Sequence, residues 1–193
     1  MTCRKVGQIC LLMVIAVVVF VPGLALAVGH GDYGCDGCHT PHHATAGTVP
    51  LWNGHETALT FTVYGSASLN ATVGQPDGSA KLCLACHDGS NTFTTHIGSG
   101  SGANFGTDLS GTHPISFVYN GALATADGGL KQPTDLSSLG GTIAEDMLFA
   151  DKMQCVSCHD IHATGVGTNL LRGYDYPAAY PNGPKLCRIC HIK

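Results

Sequence analysis

Four copies of one pentapeptide constrain this chain more than anything else in its 193 residues. They are Cys35-Asp36-Gly37-Cys38-His39, Cys83-Leu84-Ala85-Cys86-His87, Cys155-Val156-Ser157-Cys158-His159 and Cys187-Arg188-Ile189-Cys190-His191. A two-residue gap puts both thiols on one turn of chain, and the histidine that follows is delivered on the same side. C-x-x-C-H is the attachment pattern of c-type haem, in which the thiols bond to the two vinyl groups and the imidazole reaches the iron. One copy could be half a zinc site; four, each with its histidine, could not. The spacing predicts four covalently attached haem c groups, with His39, His87, His159 and His191 as proximal iron ligands.

The other cysteines agree. Of ten in the chain, Cys3 and Cys10 lie near the N-terminus and the remaining eight all belong to the motifs, so none is left for a disulfide. Residues 1–27 read as a secretory signal: Arg4 and Lys5 open it, an apolar run extends from Ile9 to Val21, and Ala25-Leu26-Ala27 has the small-x-small cleavage pattern. The rival reading is a retained membrane anchor. Its apolar core is short of the roughly 20 residues a span requires, and Pro22-Gly23 breaks it. Export suits the motifs, because haem c is attached outside the cytoplasm. The expected location is periplasmic, extracellular or at the cell surface.

Without Arg4 and Lys5, seven Lys and Arg stand against thirteen Asp and Glu, a formal charge of −6 before any haem propionate is counted. Such a surface repels nucleic acid, whose binding needs cations to meet phosphates. Gly, Ser, Thr and Ala abound, charges are few and long-range periodicity is weak, which argues against an ordinary helix or sheet core. Residues 98–102 and Ala126-Asp127-Gly128-Gly129 read as turns or loops. Residues 60–64 and 115–119 alternate enough to be short strands, and each haem motif is expected to start a short helix. The expected fold is mostly coil, with short helices and a few short strands wrapped around four stacked haems. Four porphyrins would supply the missing apolar mass, so folding should depend on them.

An internal repeat organises the mature part, residues 28–193. The first unit runs from Cys35-x-x-Cys38-His39-x-x-His42 through Leu51-Trp52-Asn53-Gly54 and Pro76-Asp77-Gly78 to Lys81-Leu82-Cys83-x-x-Cys86-His87. The second runs from Cys155-x-x-Cys158-His159-x-x-His162 through Leu170-Leu171-Arg172-Gly173 and Pro181-Asn182-Gly183 to Lys185-Leu186-Cys187-x-x-Cys190-His191. These are two paired-haem modules, at 28–87 and 155–193. A haem-free insert, 88–154, must wrap the porphyrins or connect the pairs.

The pattern resembles the doubled C-x-x-C-H modules of multihaem cytochromes from metal-reducing bacteria. The resemblance extends through residues 38–42, 50–53, 81–89, 113–117 and 158–162, and so touches most of the mature chain. It implies a secreted or outer-surface cytochrome, and some relatives polymerise into extracellular filaments with a continuous haem row.

Seven histidines lie outside the motifs, against four distal positions: His30, His42, His43, His55, His96, His113 and His162. Every iron can therefore be bis-histidine. His42 and His162 each follow a motif histidine by three residues, which on a helix puts both on one face. A ring so close in sequence cannot reach the far side of the same iron, but it can reach a neighbouring one. His162 is thus expected on the haem of Cys187/Cys190, and His42 on that of Cys83/Cys86 or in another subunit. His113, stiffened by Pro114, suits the third haem. His30 could cap the first; His55 competes with it, although Tyr174 occupies the matching place in the second module. His43 and His96 read as surface groups or propionate partners. Met147 and Met153 are the weaker alternative ligands. Trp52 and the tyrosines read as aromatics packed on haem.

Bis-histidine irons have no open position, so the chain is expected to conduct electrons and not to be an enzyme. Its partners would be other cytochromes, with an extracellular metal or mineral as a further acceptor and head-to-tail self-assembly as one mode of action. The alternative is a soluble periplasmic carrier. A reductase of a small nitrogen or sulfur oxyanion would need a displaceable axial site and nearby acid or cationic groups.

Overall fold

The structure is a computed structural model that describes residues 30, 34–44, 51–53, 55–90, 104–162, 170–172 and 185–192. Residues 1–27, the 98–102 turn, His96, Tyr174 and the Pro181-Asn182-Gly183 segment lie outside the described residues. Regular structure comes in short pieces. In chain order these are a 3-10 turn at Cys35–Gly37, α1 (Gly78–His87), β1 (Phe117–Val118), α2 (Gly121–Asp127), α3 (Ile143–Met147), β2 (Lys152–Met153), α4 (Cys155–Cys158) and α5 (Cys187–Cys190). Everything else described is turn or coil, as expected of a chain this rich in glycine. Among the described residues, no helix is long and apolar enough to cross a membrane.

Local sequence accounts for the ends of the insert's helices. Asn120 caps α2 by accepting from the Leu123 N–H at 2.9 Å, and Gly128 closes it in the left-handed region at φ 66°. The 126–129 segment is therefore a helix end followed by a glycine turn. Thr142 and Glu145 form a reciprocal capping box on α3.

Strand pairing is thinner than the alternation suggests. Within 115–119 only Phe117 and Val118 pair, antiparallel with Met153 and Lys152, because Ser116 at φ 61° turns the chain just before them. Within 60–64 only Thr62 makes a bridge, to Asp108. The Gln75 side-chain amide occupies both backbone groups of Phe61, accepting from its N–H at 2.8 Å and donating to its carbonyl at 2.9 Å. A side chain has taken the place of a partner strand.

The insert contains the core that composition argued against. Phe117, Tyr119, Ile143, Met147, Leu148 and Met153 pack together, and Ile189 and Cys190 of the fourth motif join them. Met147 and Met153 are thus buried core residues. A smaller cluster joins Leu84 of α1 to Phe61 and Leu109. Cores of this size stabilise little by themselves.

One polar node fixes α1 against α4. Gln154, 3 % exposed, donates to Asp77 Oδ1 at 2.8 Å and accepts from the Ala80 N–H and the Ser116 hydroxyl, both at 3.3 Å. Lys152 completes it with an ion pair to Asp77. Gln154→Ala strands several of these groups, and is expected to lower the stability of the haem-loaded protein by about 1–3 kcal/mol, read as a fall in denaturant midpoint.

Candidate haem-attachment sites

All eight motif cysteines are free thiols. One from the second motif meets one from the third: the Cys83 thiol donates a hydrogen bond to the Cys155 sulfur, which holds Cys83 high and Cys155 low in pKa. Burial pushes Cys158 and Cys190 up to about 11, so both thiols are protonated at neutral pH. Cys35 and Cys187 are the two exposed motif cysteines. Among the described residues, no three His, Cys, Asp or Glu side chains converge as a metal-ion site.

Three of the motifs start a single helical turn, as expected, and the second does not. Cys83 to His87 closes the ten-residue α1. At the other three the turn ends at the second cysteine. His159 and His191 then take extended backbone, with φ/ψ of −110°/137° and −94°/138°, and His39 enters a bridge with Trp52.

The paired segments of the two modules repeat in three dimensions. In the first, Thr40 N–H donates to the Leu51 carbonyl (2.7 Å) and Asn53 N–H to that of Cys38 (3.0 Å), around the His39–Trp52 bridge. In the second, Asp160 N–H donates to Leu170 (2.8 Å) and Arg172 N–H to Cys158 (2.9 Å), around a His159–Leu171 bridge. Leu51 and Leu170 share a positive φ, 58° and 59°. The sequence correspondence of 51–53 with 170–172 is a structural one, and its work is to hold the motif histidine extended.

The fourth motif docks on the insert instead. Leu130 bridges His191, Lys131 N–H donates to the Cys190 carbonyl (2.8 Å), and Ile192 N–H donates to that of Gly129 (2.9 Å). No motif in the sequence announced this seat.

Among the described residues, imidazoles meet in three pairs, each joining a motif histidine to one outside the motifs. His30 and His87 lie 5.8 Å apart between ring centres, His39 and His162 6.1 Å, and His113 and His191 6.3 Å. The His113 Nδ1–H donates to the Pro114 carbonyl at 2.9 Å, which leaves Nε2 as the nitrogen able to hold a metal. Partial burial, with His87 and His159 nearby, lowers the His30 pKa and keeps its ring in the neutral form that ligation requires.

These pairs differ from the assignments that spacing suggested. His162 stands on His39, not by the fourth motif; His113 stands on His191, not on the third; His30 stands on His87, not on the first. The same-face reasoning for His42 and His162 fails because the helix has already ended. His162 is instead turned by its own N–H on Asp160 Oδ1, at 3.0 Å. The ring three residues after His159 packs against the histidine of the first motif. Among the described residues, no second ring stands against His42 or His55. His42 accepts the Thr40 hydroxyl on its carbonyl, and the His55 carbonyl accepts from Trp52 Nε1. Trp52 itself lies edge-on to His39, at 6.3 Å.

Asp88 is a feature that spacing did not single out. It follows His87 and is 3 % exposed. Burial alone would raise its pKa, but the Ser90 hydroxyl (2.6 Å), Thr57 hydroxyl (2.5 Å) and Ser90 N–H (2.8 Å) outweigh that and lower it. It is a fixed negative charge beside the second motif.

A family profile described as the doubled CXXCH motif matches residues 148–193. Comparison with curated proteins gives no match. Residues 148–193, which carry four of the eight free motif thiols, match the doubled CXXCH motif, and this supports a multihaem c-type cytochrome module with covalently bound haem c.

Proposed function

We propose that this chain is a tetrahaem cytochrome, exported from the cytoplasm, that carries electrons through closely packed bis-histidine haems and catalyses no reaction of its own. The observation that carries this reading is the set of three histidine pairs among the described residues, one at each of the first, second and fourth motifs. Two imidazoles on opposite faces of one iron, each with a metal–nitrogen bond of about 2 Å, put their ring centres about 6 Å apart. Ordinary ring packing spans the same range, and His87 also lies 6.1 Å from Phe105. Packing alone does not explain why each pair takes one histidine from a motif and one from outside.

Haem c would supply reversible one-electron chemistry at iron, and an iron held by two of these histidines would offer no open position to a small oxyanion. The residues of the chain do the positioning. Bridges at His39, His159 and His191 hold the proximal rings, and Pro114 orients His113. Segments 30–39 and 155–162 each serve more than one motif, since His30 belongs to the second motif's pair and His162 to the first's. The Cys83–Cys155 contact, which brings the second and third attachment points together, supports short distances between haems.

Mass spectrometry of the exported protein is expected to show residues 28–193 plus four haem masses. The spectrum is expected to be that of six-coordinate, low-spin haem c. Three haems or fewer, or a high-spin signal in the wild type, would defeat the proposal; the high-spin signal would favour the reductase.

Head-to-tail assembly is a second reading, favoured by the exposure of Cys35 and Cys187, the cysteines that open the first and last motifs. His30 is paired inside its own chain, which leaves the exposed His42 and His43 as donors to a neighbouring subunit. A heterologous contact of this kind gives an open filament unless it closes into a ring. Sedimentation of haem-loaded protein as a monomer, with all irons six-coordinate, would rule against it.

A further inference from the structure

We infer that Asp88 is the counter-charge to the ferric iron of the haem attached at the second motif, and that it holds the potential of that haem below the value a neutral residue would give. Asp88 follows His87 and closes α1, donating its N–H to the Leu84 carbonyl at 2.8 Å.

Two physical effects oppose a carboxylate in this place. Among the described residues Asp88 alone of the Asp and Glu is buried, and burying a charge without a partner of opposite sign is costly. It also stands at the C-terminal end of α1, the negative pole of the helix dipole, where cations are favoured over anions. No Lys or Arg among the described residues pairs with it. Lys81, the cation of the same helix, pairs with Glu56 at 3.4 Å.

The chain is nevertheless built to hold the charge. Asp88 Oδ1 accepts from the Ser90 N–H at 2.8 Å and the Ser90 hydroxyl at 2.6 Å, and Oδ2 accepts from the Thr57 hydroxyl at 2.5 Å. Thr57 Oγ1 itself accepts from the Leu59 N–H at 3.3 Å, which leaves its proton for Asp88. Three donors on two oxygens suit the ionised form. Gly89 makes the turn that returns Ser90: its φ is 80°, and a Cβ there would meet Asn104 Oδ1 at 2.8 Å. Phe105 N–H donates to the His87 carbonyl at 2.9 Å, so the chain at 104–105 covers the same corner.

What would balance this charge is the iron. A ferric porphyrin with two neutral imidazoles has one net positive charge, which reduction removes. A fixed anion beside it favours the ferric form, and in a buried seat little water screens the interaction. The other motifs lack the arrangement. Asp36 in the first is exposed, Asp160 after the third lies by Arg172 at 3.9 Å, and Ile192 follows the fourth.

The inference rests on the haem reading of the second motif. Haem content of the wild type is therefore measured first; fewer than four haems counts against the proposed function, and only loss of the haem on Cys83/Cys86 brings the inference down with it. Midpoint potentials are then read by optical redox titration of the haem-loaded protein. Asp88→Asn keeps an oxygen for the Ser90 donors, so a turn-forming role survives it while the charge does not. It is expected to raise one potential, leaving that haem about ten-fold more reduced at a fixed applied potential, or about 59 mV, with every iron still low-spin. Asp88→Ser should move the same potential in the same direction. Cys83→Ser/Cys86→Ser should lack that potential, and adding Asp88→Asn to it should move none of the remaining three. Asp108→Asn, which removes an exposed carboxylate beside the Leu109 that packs with Leu84, should move none. The inference is overturned if Asp88→Asn moves no potential, moves several alike, or moves one that persists in Cys83→Ser/Cys86→Ser. If neither neutral variant takes up four haems, Asp88 acts through folding, and that too overturns it.

Discussion

Made in a host that cannot attach haem, residues 28–193 are expected to show no cooperative thermal transition, while the haem-loaded protein melts cooperatively. Eight buried residues form the larger core, and two of them, Ile189 and Cys190, belong to a haem motif. The smaller core likewise draws Leu84 from the second motif. The remaining described structure is short helices, the longest ten residues, with isolated bridges and a two-residue strand pair, none of which persists in water without tertiary support. Chain entropy opposes folding by about 1–2 kcal/mol for each backbone residue ordered, far more than cores of this size return. Attached cofactors would close that gap, as metals do in small metallodomains. A sharp melt of the haem-free chain by circular dichroism would show that the protein part suffices.

His113→Ala is expected to turn one haem in four high-spin, and that haem should be the one on Cys187/Cys190. His113 is the ring set against His191, at 6.3 Å. The assignment can be read by combination. Adding Cys187→Ser/Cys190→Ser to His113→Ala should abolish the high-spin signal, because the affected haem is no longer attached. By the same logic His162→Ala should act on the haem of Cys35/Cys38 and His30→Ala on that of Cys83/Cys86. His42→Ala and His55→Ala should leave every iron low-spin in the monomer. If His162→Ala instead disturbs the haem at Cys187/Cys190, the original spacing rule was right and the ring pairs are simple packing.

The contrast between those two outcomes shows where spacing stops being informative. Attachment is a local matter: two thiols and an imidazole on one turn do their chemistry whatever surrounds them, so all twelve motif residues could be read from the chain. The repeat was also readable, because the return segments at 51–53 and 170–172 make the same backbone bonds whether the middle residue is Trp52 or Leu171. Mostly coil with short elements followed from composition, since so many glycines and so few periodic apolar residues cannot fill long helices or strands.

Pairing of distal rings is different, because it depends on where separate segments meet. The reading of His162 assumed a helix continuing past His159, and the extended φ/ψ there removed its premise. His113 found His191 because the insert seats the fourth motif through Leu130, Lys131 and Gly129, ordinary residues whose contribution is backbone hydrogen bonding. Gln75 and Gln154 act in the same hidden way, their amides satisfying backbone and side-chain groups far away in sequence. Which residues carry the haem-attachment pattern could be read from the chain alone, because that pattern needs only neighbours in sequence. Which histidine meets which follows from tertiary contacts, because the two rings of a pair come from separate segments and backbone bonds of ordinary residues bring those segments together.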